Sequence, residues 1–176
     1  MRQLLLLRHA KSSWEDANLT DHDRPLDPEG QSAAKVLRAA IDRLGITPQL
    51  VLVSSARRTR ETLERLEPLP GDPRILRSTE LYLASPRQIL DQLVDIPVEI
   101  NSVMVIAHNP GLHDLAMMLA GAHGMSLGGQ GSKRLARGFP TAALAEFSVA
   151  GGWRALPDGA RLVRFLTPQD LQQAAN

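Results

Sequence analysis

Leu4-Leu5-Leu6-Leu7-Arg8-His9-Ala10-Lys11 and Val103-Met104-Val105-Ile106-Ala107-His108-Asn109-Pro110 are apolar runs that each stop at a histidine. An unbroken apolar run this short predicts a strand buried on both faces, although periodicity alone does not separate it from a buried helix. Leu50-Val51-Leu52-Val53 is a third such run, and it stops at Ser54-Ser55. In open α/β sheets, ligands bind just beyond the carboxyl ends of the strands. The two histidines and the segment after Ser54 are therefore expected at one edge of one sheet.

Asp27-Pro28-Glu29-Gly30 is a helix start, with Asp27 as N-cap and Pro28 at the first helical position. Ala33, Val36, Leu37, Ala40, Ile41 and Leu44 follow at helical spacing, and Gly45 supplies the stop. A charged helix is expected over 56–66, another from about Pro86 to Val94, and a third opened by Pro110 with Leu112, Leu115, Ala116 and Leu119. Ile75-Leu76 reads as a short strand. Residues 121–138, rich in Gly, Ser, Lys and Arg, read as a long surface loop. Two strands, roughly 142–149 and 161–166, close the chain. Strands alternating with helices predict an α/β fold, a three-layer α/β/α sandwich with a mostly parallel central sheet. The last two strands are expected to pair antiparallel at the sheet edge. With no internal repeat and no dividing linker, residues 1–176 read as a single domain.

The chain carries 20 Lys and Arg against 19 Asp and Glu, a formal charge of +1, and no cysteine. No global field draws it to nucleic acid or to an anionic membrane. Disulfides and thiolate metal sites are excluded, which fits a reducing compartment. The apolar stretch after Met1-Arg2 ends at Arg8-His9, short of the ~7–15-residue core of a signal peptide. Nothing later approaches the ~18 apolar residues of a membrane span. A soluble, cytoplasmic protein is expected, with neither nucleic-acid nor membrane partners.

Arg8 offers a planar fork of donors suited to phosphate or carboxylate. A histidine beside it can be a nucleophile, a general base or a ligand, and the arginine disfavours its imidazolium form. Ser54-Ser55-Ala56-Arg57-Arg58-Thr59-Arg60-Glu61-Thr62 also leaves a buried strand and enters a helix. Its arginines form either a solvated face, with pairs such as Arg57–Glu61, or an anion site at the helix N-terminus. Together the three segments make a cationic pocket suited to a phosphoryl group. Arginines would repel a metal cation, and no phosphate-loop or dinucleotide fingerprint is present.

The segment Arg8-His9-Ala10-Lys11-Ser12 resembles the Arg-His-Gly/Ala motif of the histidine phosphatase superfamily, which includes the cofactor-dependent phosphoglycerate mutases. Within it the chain is most similar to SixA-type phosphohistidine phosphatases. The resemblance extends through Asp23-Arg24-Pro25-Leu26 with Gly30, Ser54-x-Ala56-x-Arg58-x-x-x-Thr62, Ala107-His108-Asn109-Pro110 and Phe139-Pro140-Thr141-Ala142-Ala143, from Leu4 to about Leu166. It implies a phosphoglycerate mutase-like fold and a phosphatase that needs neither metal nor cofactor. His9 would be the nucleophile. Arg8, Arg58 and His108 would hold the phosphoryl oxygens. Arg24, Ser54 and Asn109 would line or order the pocket, and Lys11 and Ser12 would add substrate contacts. Glu80 is a candidate proton donor or a plain surface charge. Larger members carry a substrate-capping insertion between Thr62 and Ile100, where this chain has little room. The expected substrate is therefore a phosphorylated protein, bearing phosphohistidine, or a small phosphorylated metabolite. A non-catalytic phosphate-binding module is the alternative.

His22 and Trp14 could rim the pocket, His113 is expected to pack or hydrogen-bond locally, and His123 sits in the Gly-rich stretch. Lys133, Arg134 and Arg137 form either a solvated cluster or a contact for an acidic protein substrate.

Overall fold

In the computed structural model, which describes residues 1–121 and 129–173, the three apolar runs are neighbouring strands. The strands are β1 (Arg2–Arg8), β2 (Leu50–Ser54), β3 (Arg74–Ser78), β4 (Ser102–Ala107), β5 (Leu144–Val149) and β6 (Arg161–Leu166). They form one sheet in the order β3-β2-β4-β1-β5-β6. The first four are mutually parallel, and β5 runs antiparallel to both β1 and β6. Arg8 pairs with Ala107, while Leu7 and Val53 both lie opposite Ile106. This register brings the carboxyl ends of β1, β2 and β4 to one level.

Leucines 4 to 7 are fully buried because both faces of β1 are covered. Leu4 and Leu6 face a cluster built with α3 (Pro86–Val94), α4 (Gly111–Gly121) and Trp153. Leu5 and Leu7 face the other layer, with α1 (Pro28–Arg43), α2 (Arg57–Leu66) and Leu171 of the short α6 (Pro168–Gln173). Each buried leucine contributes about 1.5–3 kcal/mol relative to exposure. The sandwich and its mostly parallel sheet are those expected from the alternation of elements. Asp27 caps α1 by accepting from the Gly30 N–H at 2.7 Å, and Gly45 follows the helix with φ +63°. Among the described residues, no helix is long and apolar enough to cross a membrane.

Two expectations about the helices fail. Part of the stretch read as a surface loop is a helix, α5 (Gln130–Arg137). Only Leu135 of α5 is buried, so the segment carries no apolar period, and Gly131 depresses its helix propensity. Tertiary contacts hold it. His113 Nε2 donates to the Leu135 carbonyl at 2.8 Å, and Arg134 pairs with Asp170. Residues 122–128, including His123, lie outside the described residues. Helix α4 starts at Gly111, just after a cis Asn109–Pro110 bond, and not at Pro110 itself.

Candidate active site

His9 leaves β1 with its backbone fixed on three sides. Its N–H donates to the Ala107 carbonyl at 3.2 Å, and its carbonyl accepts from the Ala142 N–H at 3.1 Å. The next N–H, that of Ala10, donates to Thr62 Oγ1 of α2 at 3.0 Å. The imidazole Nδ1 lies 2.7 Å from the Ala10 carbonyl oxygen. A carbonyl only accepts, so Nδ1 carries the proton and Nε2 keeps its lone pair. Arg58 Nε donates toward that lone pair at 3.3 Å. His9 is 7% exposed. Burial, with smaller contributions from Arg58, Arg8 and Arg24, pushes its pKa down to about 3, against the opposing pull of the Ala10 carbonyl. The ring is a neutral, oriented base.

His108 ends β4 beside it, with ring centroids 5.1 Å apart. Ser54 Oγ, at the end of β2, lies 2.7 Å from His108 Nε2. The other nitrogen, Nδ1, is buried without a hydrogen-bond partner. Burial first, then His9 and Arg58, holds the His108 pKa at about 3, while Asp21 acts in the opposite sense. Ser54 itself is fully buried behind His108.

Arg58 is the second residue of α2 and is buried, whereas Arg57 turns outward to pair with Glu61 at 2.6 Å. Arg58 Nη1 donates to the Asp21 carbonyl at 2.5 Å and Nη2 to Asp21 Oδ2 at 3.0 Å. The same carboxylate accepts from Arg24 Nη1 at 3.0 Å and from Tyr82 Oη at 2.6 Å. The Tyr82 hydroxyl, followed by the two guanidiniums, holds the Asp21 carboxyl well below the usual range. Arg24 is fully engaged: Nε donates to the Ser13 carbonyl at 2.9 Å, Nη2 to Ser12 Oγ at 2.7 Å, and Trp14 stacks on the guanidinium. Tyr82 meets His108 edge-on at 5.5 Å and His22 at 4.9 Å, and His22 Nε2 lies 3.0 Å from Ser55 Oγ.

Arg8 and Asn109 converge on one acceptor. Arg8 Nη1 and Asn109 Nδ2 each donate to the Phe139 carbonyl at 2.9 Å. Arg8 Nε and Asn109 Oδ1 remain buried without partners. Arg8, His9, Arg24, Arg58, His108 and Asn109 line a cavity of about 270 Å³, with Lys11, Ser12, Trp14 and Leu83 completing it. No carboxylate is among these lining residues.

Nine of the ten expected residues thus gather at the strand ends, with Ser54 behind the cavity and Lys11 paired outward to Asp27 and Glu29. Glu80 does not join them: it is exposed in the turn Thr79–Leu81 and does not line the cavity. Asp21 and Tyr82 were not singled out from the sequence. The available signal was the acidic Asp21 three residues before Arg24, and Tyr82 directly beside Leu81 in the Glu80 segment.

The sequence model described as histidine phosphatase superfamily (branch 1) matches residues 4–78. An uncharacterized protein of Mycobacterium leprae is 32% identical over 168 residues, covering 93% of this chain and 100% of that protein. An uncharacterized chloroplastic protein of Arabidopsis thaliana is 37% identical over 131 residues, 69% of this chain; the matched part spans 60% of the Arabidopsis protein. A solved structure from Nakamurella multipartitia, assigned as phosphohistidine phosphatase SixA, superposes with a TM-score of 0.83 at 27% identity, covering 95% of this chain and 96% of that one.

Proposed function

Because this chain belongs to the histidine phosphatase superfamily, we propose that it hydrolyses protein phosphohistidine through a covalent phospho-His9 intermediate and without a metal ion. The orientation of His9 carries this reading: Nδ1–H is tied to the Ala10 carbonyl, and Nε2 keeps its lone pair at the cavity, where only the Arg58 Nε–H, at 3.3 Å, donates to it. In the first step Nε2 attacks phosphorus, the bond from phosphorus to the leaving nitrogen breaks, and that nitrogen takes the electron pair. In the second, water attacks phospho-His9, the P–Nε2 bond breaks, and inorganic phosphate leaves.

Arg8, Arg58 and His108 hold the phosphoryl oxygens, with Asn109, Lys11 and Ser12 contacting the substrate. Arg58 Nε loses its acceptor when Nε2 bonds to phosphorus, and it then donates to a phosphoryl oxygen. A phosphate beside His108 raises its pKa, so the ring becomes a charged donor. Ser54 orders His108, and Arg24 acts through Ser12, Ser13 and Asp21. Three guanidiniums supply the positive charge that a metal would bring.

Among the described residues that line the cavity there is no carboxylate to serve as a proton donor, which supports a phosphoramidate over an alkyl ester. The nitrogen of a phosphoramidate is protonated before cleavage, so a strong general acid is less needed. Glu80, exposed and outside the cavity, has no part in this scheme. Trp14 (77% exposed) and Leu83 (54% exposed) line the same cavity, an apolar rim that suits a protein surface better than a small polar metabolite.

Brief incubation with a phosphoryl donor is expected to leave acid-labile phosphate on the wild type and none on H9A. Turnover by H9A falls at least about 10³-fold, and a chelator leaves wild-type turnover intact. Full turnover by H9A would sink the mechanism. Phosphohistidine peptide is hydrolysed in preference to a panel of small phosphomonoesters; the reverse order assigns the site to metabolites.

A further inference from the structure

Arg8 and Asn109 line two cavities: the 270 Å³ one that holds His9, and a broader one of about 710 Å³. The two cavities share these side chains as a common wall. The walls of the broader cavity come from α5 and from the chain around β6 and α6, including Arg134, Arg137, Phe139, Phe165 and Asp170. A phosphoryl group needs only the smaller cavity. The larger is of the size that takes a small ligand or a few peptide side chains, about 300–1,000 Å³.

Its charges are unevenly committed. Asp170 is taken up by Arg134, by the Thr167 N–H at 2.9 Å and by the Thr167 hydroxyl at 2.8 Å. Arg134 in turn is fixed by Asp170 and by the Phe165 carbonyl at 3.3 Å. Arg137, at the carboxyl end of α5, is exposed and has no hydrogen-bond or ion-pair partner among the described residues. With Arg8 also present, the cavity keeps a net positive charge, and Phe139 and Phe165 supply an apolar floor.

We propose that this cavity is a specificity subsite for the part of the substrate beyond the phosphoryl group, and that this part carries a carboxylate that meets Arg137. The proposal rests on the phosphatase reading of the adjoining site. The source favoured by the open apolar rim is an acidic side chain flanking phosphohistidine. A carboxylate arm on a small phosphoester has the same chemistry.

Two substrate pairs separate these sources: phosphohistidine peptides with Glu or Gln flanking the phosphorylated residue, and phosphoesters with or without a carboxylate arm. The wild type is expected to favour the acidic member by about 3-fold in kcat/KM at low salt, the size of an exposed ion pair. The preference disappears in R137Q, reverses in R137E and survives in R137K. If only the ester pair responds, the subsite stands and the phosphohistidine reading falls. If both pairs are turned over with no preference that R137E alters, the subsite is refuted and the phosphatase reading stands. Should nothing be turned over, the affinities of wild type and R137E for the unphosphorylated Glu and Gln peptides decide it, and equal affinities refute the subsite.

Discussion

Asp21 bridges the two guanidiniums of Arg58 and Arg24 and accepts the Tyr82 hydroxyl, so it governs how Arg58 Nε faces His9. Held well below the usual carboxylate range, it stays ionised at neutral pH and is unsuited to act as a proton donor. Its charge opposes that of the arginines. D21N is therefore expected to bind inorganic phosphate or vanadate several-fold more tightly, while kcat falls roughly 10-fold as Arg58 loses its orientation. Product-inhibition kinetics check both effects, and unchanged Ki and kcat would make Asp21 a bystander. His9, Arg8, Arg58 and His108 were legible because each sits where an apolar run or a short motif ends. Asp21 was not legible, since its partner Arg58 lies 37 positions away and such pairing leaves no periodic mark in the sequence. Glu80 stayed open between proton donor and surface charge, since a lone carboxylate before a helix fits either; it lies exposed in the turn Thr79–Leu81.

At the level of elements, β1, β2, β4 and the capped helix α1 were readable because burial on both faces and cap chemistry write directly into residue type. Helix α5 was hidden, because it depends on His113, Asp170 and β6 and not on its own pattern. The start of α4 shows how closely elements approach near the site. A Cβ on Gly111 would overlap the Ala84 carbonyl, whereas one on Gly121, at the other end of α4, meets nothing within 4 Å. G111A is expected to cost about 1–3 kcal/mol in urea unfolding. It also lowers activity, because α4 begins directly after His108-Asn109. G121A is expected to be neutral or to gain up to about 1 kcal/mol. Equal midpoints for the two variants would contradict the close contact between α4 and Ala84.

For the whole molecule, the sheet order places three strand ends side by side and so concentrates two buried neutral histidines at one edge. Both His9 and His108 have folded pKa values of about 3, against an ordinary 6.5. Between those values the unfolded chain binds more protons than the folded one. Stability is therefore complete above about pH 6.5 and is lost as pH falls toward 3, by about 1.4 kcal/mol per pH unit for each histidine. Thermal melts at pH 7, 5.5 and 4.5 should show a steep fall, shallower in H9N. Added phosphate should offset part of it by binding the folded state. A flat profile across this range would show that the histidines are not held neutral by the fold.

The two tryptophans sit in opposite surroundings. Trp153 is 2% exposed, with its indole N–H bound to the Ile100 carbonyl at 2.8 Å, while Trp14 stands in solvent against Arg24 at the cavity that holds His9. In optical terms, the chain carries two native chromophores in opposite surroundings. The emission of Trp153 belongs to a dry interior and tracks folding, and that of Trp14 belongs to water and tracks whatever arrives beside Arg24.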